Sequence, residues 1–293
     1  ILAGNGIKLG YAEEEFKEMV RTLRIPVVTT YLGIDILNGF DPLFVGRVGV
    51  KGDRAGNFAL QNADLILAIG TSLSVAVTGY NYAHFGREAK LVVVDIDPEE
   101  HSKDTVKIDK FFNCDVKYFA NEVISECGDN FIGSSDWVEQ CAEWKDIWKL
   151  DPIVDDSDVV DLYHFTKCLS DKLPSEASVV GDAGSAYYVP SQMLHLKRNQ
   201  KWITPGAQAE MGFTLPAVIG VQVGSPDCTV VGITGDGSFQ FNVQELQSIR
   251  HYNLPIKLFV WNNDGYLSIR NTQEKFFDGD YIGTNRESGV SLP

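Results

Sequence analysis

The triplet Gly235-Asp236-Gly237 is followed, twenty-four residues later, by Asn262-Asn263-Asp264-Gly265, and this pairing constrains the chain more than any other stretch. A β-prone run, Thr229 to Thr234, enters the first motif, and an apolar run, Ile256 to Trp261, enters the second. The segment between them reads as helical. Two adjacent parallel strands joined in this way bring Asp236 and Asn263 to one edge of a sheet, where open α/β sheets bind their ligands. Either motif alone is most often a turn, because Asn, Asp and Gly tolerate positive φ. In strand-turn context on both sides they become a site.

The residue types fit a particular ligand. Asp236 supplies a hard anionic oxygen, Asn263 a neutral amide oxygen, and Gly265 a carbonyl that no side chain shields. Such a set suits Mg²⁺, which takes few protein ligands and fills its octahedron with phosphate oxygens and water. A diphosphate is the natural third party. Gly237 and Ser238, opening the helix after Gly235-Asp236, would offer it backbone N–H groups and a hydroxyl.

On these residues the chain resembles the thiamine diphosphate (ThDP)-dependent enzymes. The stretch Ala209-Glu210-Met211-Gly212-Phe213-Thr214-Leu215-Pro216-Ala217 is similar to their acetolactate synthase-like branch, and Asp182-Ala183-Gly184-Ser185 resembles the second diphosphate loop. Gly46 to Leu73 and Val92 to His101 resemble the family's middle domain, so that the likeness reaches nearly the whole chain. The resemblance implies that Asp236, Asn263 and Gly265 hold Mg²⁺, and that Gly184, Ser185, Gly235, Gly237 and Ser238 bind the diphosphate. It makes Met211 the buttress of the bent cofactor and Ala209 the carbonyl facing its aminopyrimidine.

Composition narrows the alternatives. A length of 293 residues allows two domains with their own cores. No run approaches eighteen uninterrupted apolar residues and no signal-peptide pattern opens the chain, so neither membrane span nor export is expected. The five cysteines lack CxxC or zinc spacing, which suggests a reducing cytoplasm. A net charge of -15 without a basic cluster argues against nucleic acid as a partner. The five histidines share no spacing and read as structural.

Alternating apolar strands and amphipathic helices predict an α/β chain of two doubly wound parallel-sheet domains. The expected division is a Rossmann-like middle domain over 1–127, a linker with one helix over 128–158, and a diphosphate- and Mg-binding domain over 159–293. Gly4-Asn5-Gly6 invites comparison with a dinucleotide fingerprint, but Leu9 stands where its third glycine belongs, so a tight strand-to-helix turn is the better reading. Helices are expected at Glu13 to Leu23, around Pro190 to His195 and from Met211 to Val223. Ser135 or Asp136 is the expected cap of a helix whose Trp137, Cys141, Trp144 and Trp148 form one apolar stripe.

The resemblance implies a decarboxylase or carboligase that forms an enamine from pyruvate or a related 2-keto acid and hands it to an acceptor. A transferase acting on a specialised acceptor such as a keto sugar is one alternative, and a non-catalytic ThDP-fold scaffold or regulatory subunit is another. No catalytic residue is expected within this chain, because the family's activating glutamate belongs to a pyrimidine-binding domain that precedes the region where the sequence begins. The chain is therefore expected to be an internal portion of a longer homodimer or tetramer, inactive alone. The resemblance implies that in FAD-holding relatives an arginine begins and another ends the segment matching Thr71-Ser72-Leu73-Ser74-Val75; here both are replaced. FAD is left open.

Overall fold

A computed structural model describes residues 1–127, 133–152, 158–206 and 208–290. Parts of the expected linker, 128–132 and 153–157, lie outside the described residues. By contacts the chain forms two compact units, one comprising 1–153 and 195–198, the other 154–194 and 199–293.

The first unit is a six-stranded sheet whose strands are all paired in parallel, ordered β3-β2-β1-β4-β5-β6. These strands are β1 (Leu2–Ala3), β2 (Val27–Thr29), β3 (Phe44–Arg47), β4 (Leu65–Ile69), β5 (Lys90–Asp95) and β6 (Lys110–Asn113). Their order is that of a doubly wound sheet, with the direction of winding reversing between β1 and β4. The connecting helices are α1 (Gly6–Leu9), α2 (Glu13–Leu23), α3 (Arg54–Gln61), α4 (Val75–Thr78) and α5 (Val116–Cys127), followed by α6 (Ser135–Ile147). Amphipathic α2 has the expected bounds and buries Phe16, Met19, Val20 and Leu23. At the reversal point Gly6 packs directly on Gly70: a Cβ on Gly6 would stand 2.7 Å from the Gly70 Cα. Glycines 4 and 6 therefore serve close packing of two loops, as the missing third glycine implied.

Helix α6 is capped by Ser134, whose hydroxyl accepts from the Trp137 N–H at 3.4 Å. The expected caps, Ser135 and Asp136, lie inside the first turn, because the preceding extended residue decides which of three consecutive polar residues caps. Cys141 belongs to the core of this unit, and Trp137, Trp144 and Trp148 pack against it.

The second unit is a four-stranded parallel sheet ordered β10-β9-β7-β8. It is built from β7 (Ala177–Val180), β8 (Gln200–Ile203), β9 (Thr229–Gly235) and β10 (Lys257–Trp261). Its helices are α7 (Leu162–Lys172), α8 (Ser185–Met193), α9 (Thr214–Gly224), α10 (Asp236–Phe239), α11 (Leu246–His251) and α12 (Leu267–Phe276). Val180, Val218 and Val230 form a core cluster between sheet and α9. Two helices depart from expectation. α8 spans Ser185–Met193 with Pro190 inside it, so it begins and ends earlier than the helix expected around Pro190 to His195. α9 starts at Thr214, leaving Met211 in a loop.

Candidate functional site

Strands β9 and β10 pair in parallel with Gly235 opposite Trp261, so the chain leaves both strands at the same level. Asp236 and Asn263 consequently meet. The Asp236 carboxylate is buried; Oδ1 accepts from the Gly237 N–H at 2.8 Å, and Oδ2 accepts from the N–H groups of Asn263 at 3.1 Å and Gly265 at 2.8 Å. One carboxylate thus shapes both motifs. The Asn263 side-chain oxygen is buried and finds no hydrogen-bond partner among the described residues. Leaving such an acceptor unmet costs about 1–3 kcal/mol, which a ligand at the site would recover.

These groups line a cavity of about 340 Å³, within the range of small-ligand sites. Eight of the ten residues expected from sequence border it: Gly184, Ser185, Met211, Gly235, Asp236, Gly237, Ser238 and Asn263. The other two do not. Gly265 is buried and does not border the cavity, its carbonyl accepting from Arg270, and Ala209 precedes Met211 by two residues with φ of 51°. Gly237 is required by its neighbour, since a Cβ there would lie 2.6 Å from the Tyr266 ring.

The two helix starts at the cavity are unequal. α10 has only four residues and runs into a 3₁₀ segment, Gln240–Glu245, kinked at Asn242. It carries little macrodipole, and the Gly237 N–H is held by Asp236. The better-placed helix start is α8, nine residues long, whose Gly184, Ser185 and Ala186 all border the cavity. The first N–H groups of a helix have no acceptor within it, and its N-terminus favours anions.

Asp182, named from sequence only as the first residue of the second loop and given no role there, ties the site together. Fully buried, its Oδ1 accepts from Ala183 N–H (2.9 Å) and Gly212 N–H (3.0 Å), and its Oδ2 from Thr214 N–H (3.1 Å) and the Thr234 hydroxyl (3.0 Å). It joins the α8 loop, the Met211 loop and the end of β9, and it stops α9 from starting at Met211. Its signal would have been an Asp at a strand end with no nearby cation.

Past the second motif, Tyr266, Leu267, Ser268 and Ile269 also border the cavity. Phe276 and Phe277, further along, are exposed, and Gln273 is turned toward Thr284. Among the described residues no three His, Cys, Asp or Glu side chains gather as a metal cluster, so a metal at this site would rely on Asp236 with neutral oxygens.

The ends of adjacent parallel strands thus bring a carboxylate and an amide to a small cavity that the start of α8 also borders. Residues 182–292 match the thiamine pyrophosphate enzyme C-terminal TPP binding domain, and residues 1–123 match the thiamine pyrophosphate enzyme central domain. The chain belongs to the thiamine pyrophosphate enzyme family. It is 31% identical over 294 residues to the acetolactate synthase large subunit of Cyanidium caldarium, covering 99% of this chain and 49% of the relative. Against the acetolactate synthase isozyme 2 large subunit of Escherichia coli (strain K12) identity is 30% over 289 residues, covering 97% and 50%. With acetolactate synthase 1, chloroplastic, of Zea mays it is 32% over 294 residues, covering 96% and 45%. The chain spans about half the length of these curated relatives. No helix among the described residues is long and apolar enough to cross a membrane.

Proposed function

We propose that this chain is the cofactor-holding portion of a ThDP- and Mg²⁺-dependent decarboxylase or carboligase of 2-keto acids, with pyruvate or a related keto acid as donor, acting in the cytoplasm as a homodimer or tetramer. The observation that carries the proposal is the meeting of the Asp236 carboxylate with the unpartnered Asn263 oxygen at the ends of β9 and β10. Both are oxygen donors, the set that Mg²⁺ prefers, so the residues fit the ion.

In this reading Asp236 and Asn263 hold the metal through side chains and Gly265 through its carbonyl. The first turn of α8 would bind the diphosphate through the N–H groups of Gly184 and Ser185 and the Ser185 hydroxyl, and Gly235, Gly237 and Ser238 would line it from the other side, with the Ser238 hydroxyl as donor. Met211, in the loop that Asp182 holds, would set an apolar surface against the cofactor and buttress its bend, and Ala209 would be the residue whose carbonyl serves the aminopyrimidine. ThDP supplies the carbanion-stabilising chemistry that releases CO₂ from a keto acid. The protein's own part is to orient the cofactor and to keep the reacting face dry.

FAD does not fit the first unit equally well. The Thr71 to Val75 segment offers no guanidinium, and the cation that reaches it, Lys103, donates to the Ser72 carbonyl at 2.7 Å while paired with Glu100. A dinucleotide there would lack the charge-assisted bonds that hold its phosphates. The test is to purify the full-length protein, denature it, and quantify released ThDP, Mg²⁺ and FAD. ThDP with Mg²⁺ supports the reading, and FAD in addition would restore the flavin-dependent assignment. Neither ThDP nor Mg²⁺, even after incubation with excess of both, would leave a scaffold role.

A further inference from the structure

The Asn263-Asp264-Gly265 loop is gripped from two sides. Its N–H groups at 263 and 265 donate to the Asp236 carboxylate, and its three consecutive carbonyls accept from Arg270 in the first turn of α12. The Arg270 guanidinium donates through Nη2 to the Asn263 carbonyl at 2.9 Å and through Nη1 to the Asp264 carbonyl at 2.8 Å and to that of Gly265. Nη1 also donates to the Thr284 carbonyl at 2.9 Å. Thr284 is itself buried, and its hydroxyl bonds Gln273 of α12 at 2.7 Å. The only carboxylate on the loop, that of Asp264, is paired instead with Arg286 at 3.3 Å. Arg270 is therefore dedicated to main-chain carbonyls.

We infer that Arg270 is the positioning residue that fixes Asn263 and Gly265 as metal ligands. The inference rests on the cofactor reading above. With its backbone bonded to both Asp236 and Arg270, the loop keeps Asn263 at the cavity it lines. A carbonyl oxygen has two lone pairs, so Gly265 can accept from Arg270 and still face a cation. A planar fork with five donors can serve several carbonyls at once, whereas a lysine ammonium is a point charge on a flexible stem. The chemistry calls for arginine.

The test uses the full-length protein and its Arg270→Gln and Arg270→Lys variants. ThDP binding is followed by tryptophan fluorescence, Trp261 bordering the cavity, across a series of Mg²⁺ concentrations, and the apo proteins are melted in parallel. Loss of a group that orients metal ligands lowers metal affinity by about 10–100-fold. The half-saturating Mg²⁺ concentration should rise by that factor in Arg270→Gln and by less in Arg270→Lys, and excess Mg²⁺ should return ThDP binding to within about twofold of wild type. A half-saturating concentration unchanged in Arg270→Gln would overturn the assignment while leaving the cofactor reading intact. So would a deficit that persists at every Mg²⁺ concentration together with a lowered apo melting temperature, since that is general destabilisation. Wild-type protein showing no Mg²⁺-dependent ThDP binding would overturn the cofactor reading and this inference with it.

Discussion

Removing the Asp182 carboxylate should damage the second unit in a graded way that its hydrogen bonds set. In Asp182→Ala the N–H groups of Gly212 and Thr214 and the Thr234 hydroxyl all lose their acceptor. The hydroxyl can turn to the Gly235 carbonyl, already 3.3 Å away. The two N–H groups cannot turn. At about 1–3 kcal/mol for each buried orphan, with the N–H of Ala183 added and some relaxation subtracted, the loss comes to roughly 3–5 kcal/mol. Asp182→Asn keeps one oxygen, so either the Ala183 and Gly212 pair or the Thr214 N–H remains satisfied. The better choice leaves only Thr214 N–H opposed by an NH₂ donor, and relief of charge burial offsets part of that cost, giving roughly 1–3 kcal/mol. Urea and thermal melts of the full-length protein measure both. At about 2–4 °C per kcal/mol, the alanine variant should lower the transition of this unit by roughly 6–20 °C. An asparagine variant as damaged as the alanine variant, or an alanine variant within about 0.5 kcal/mol of wild type, would refute the network argument.

Gly237→Ala should cost about 1–3 kcal/mol of stability by overpacking against Tyr266, and Tyr266→Ala in the same chain should recover much of it; no recovery in melts of the double variant would contradict the contact. Asp53, largely buried beside Arg47, has its carboxyl pushed above the ordinary range by burial, against the pull of the guanidinium. The folded state therefore holds that proton more tightly, and the stability it contributes is present at low pH and lost as pH rises through the raised pKa. The stability difference between wild type and Asp53→Asn should accordingly shift in favour of the variant as pH rises from about 4 to 8, and urea melts showing the opposite slope would count against it. Burial pushes the Cys141 thiol up to about 11. At about pH 8 iodoacetamide should label Cys141 more slowly than the four partly exposed cysteines until urea is added, as peptide mapping would report.

The sheet edges could be read from sequence because they are locally encoded. Short runs rich in apolar and β-branched residues, such as Ala177–Val180 and Thr229–Gly235, are strands in the structure, and the second has bounds close to those expected. Asp236, Gly237 and Asn263 were legible for the same reason, since each sits one or two positions beyond a strand end. What local pattern missed depends on distant partners. Met211 to Phe213 continue the apolar character of α9, but Asp182, some thirty residues earlier, takes the N–H groups of Gly212 and Thr214 and fixes the helix start after Met211. The helix expected around Pro190 to His195 is α8, which the turn at Gly184 begins five residues sooner. Arg270 carried no motif at all. It recognises main-chain carbonyls, which every sequence presents equally.

The account stands on Asp236 and Asn263 sharing one metal, and the most direct test is a crystal structure of the full-length protein grown with ThDP and Mn²⁺ in place of Mg²⁺. The account predicts a single anomalous difference peak about 2.1–2.2 Å from an Asp236 carboxylate oxygen and the Asn263 side-chain oxygen, with the Gly265 carbonyl completing the protein's ligands. A peak elsewhere, or well-ordered ThDP with no peak between these two residues, would contradict it.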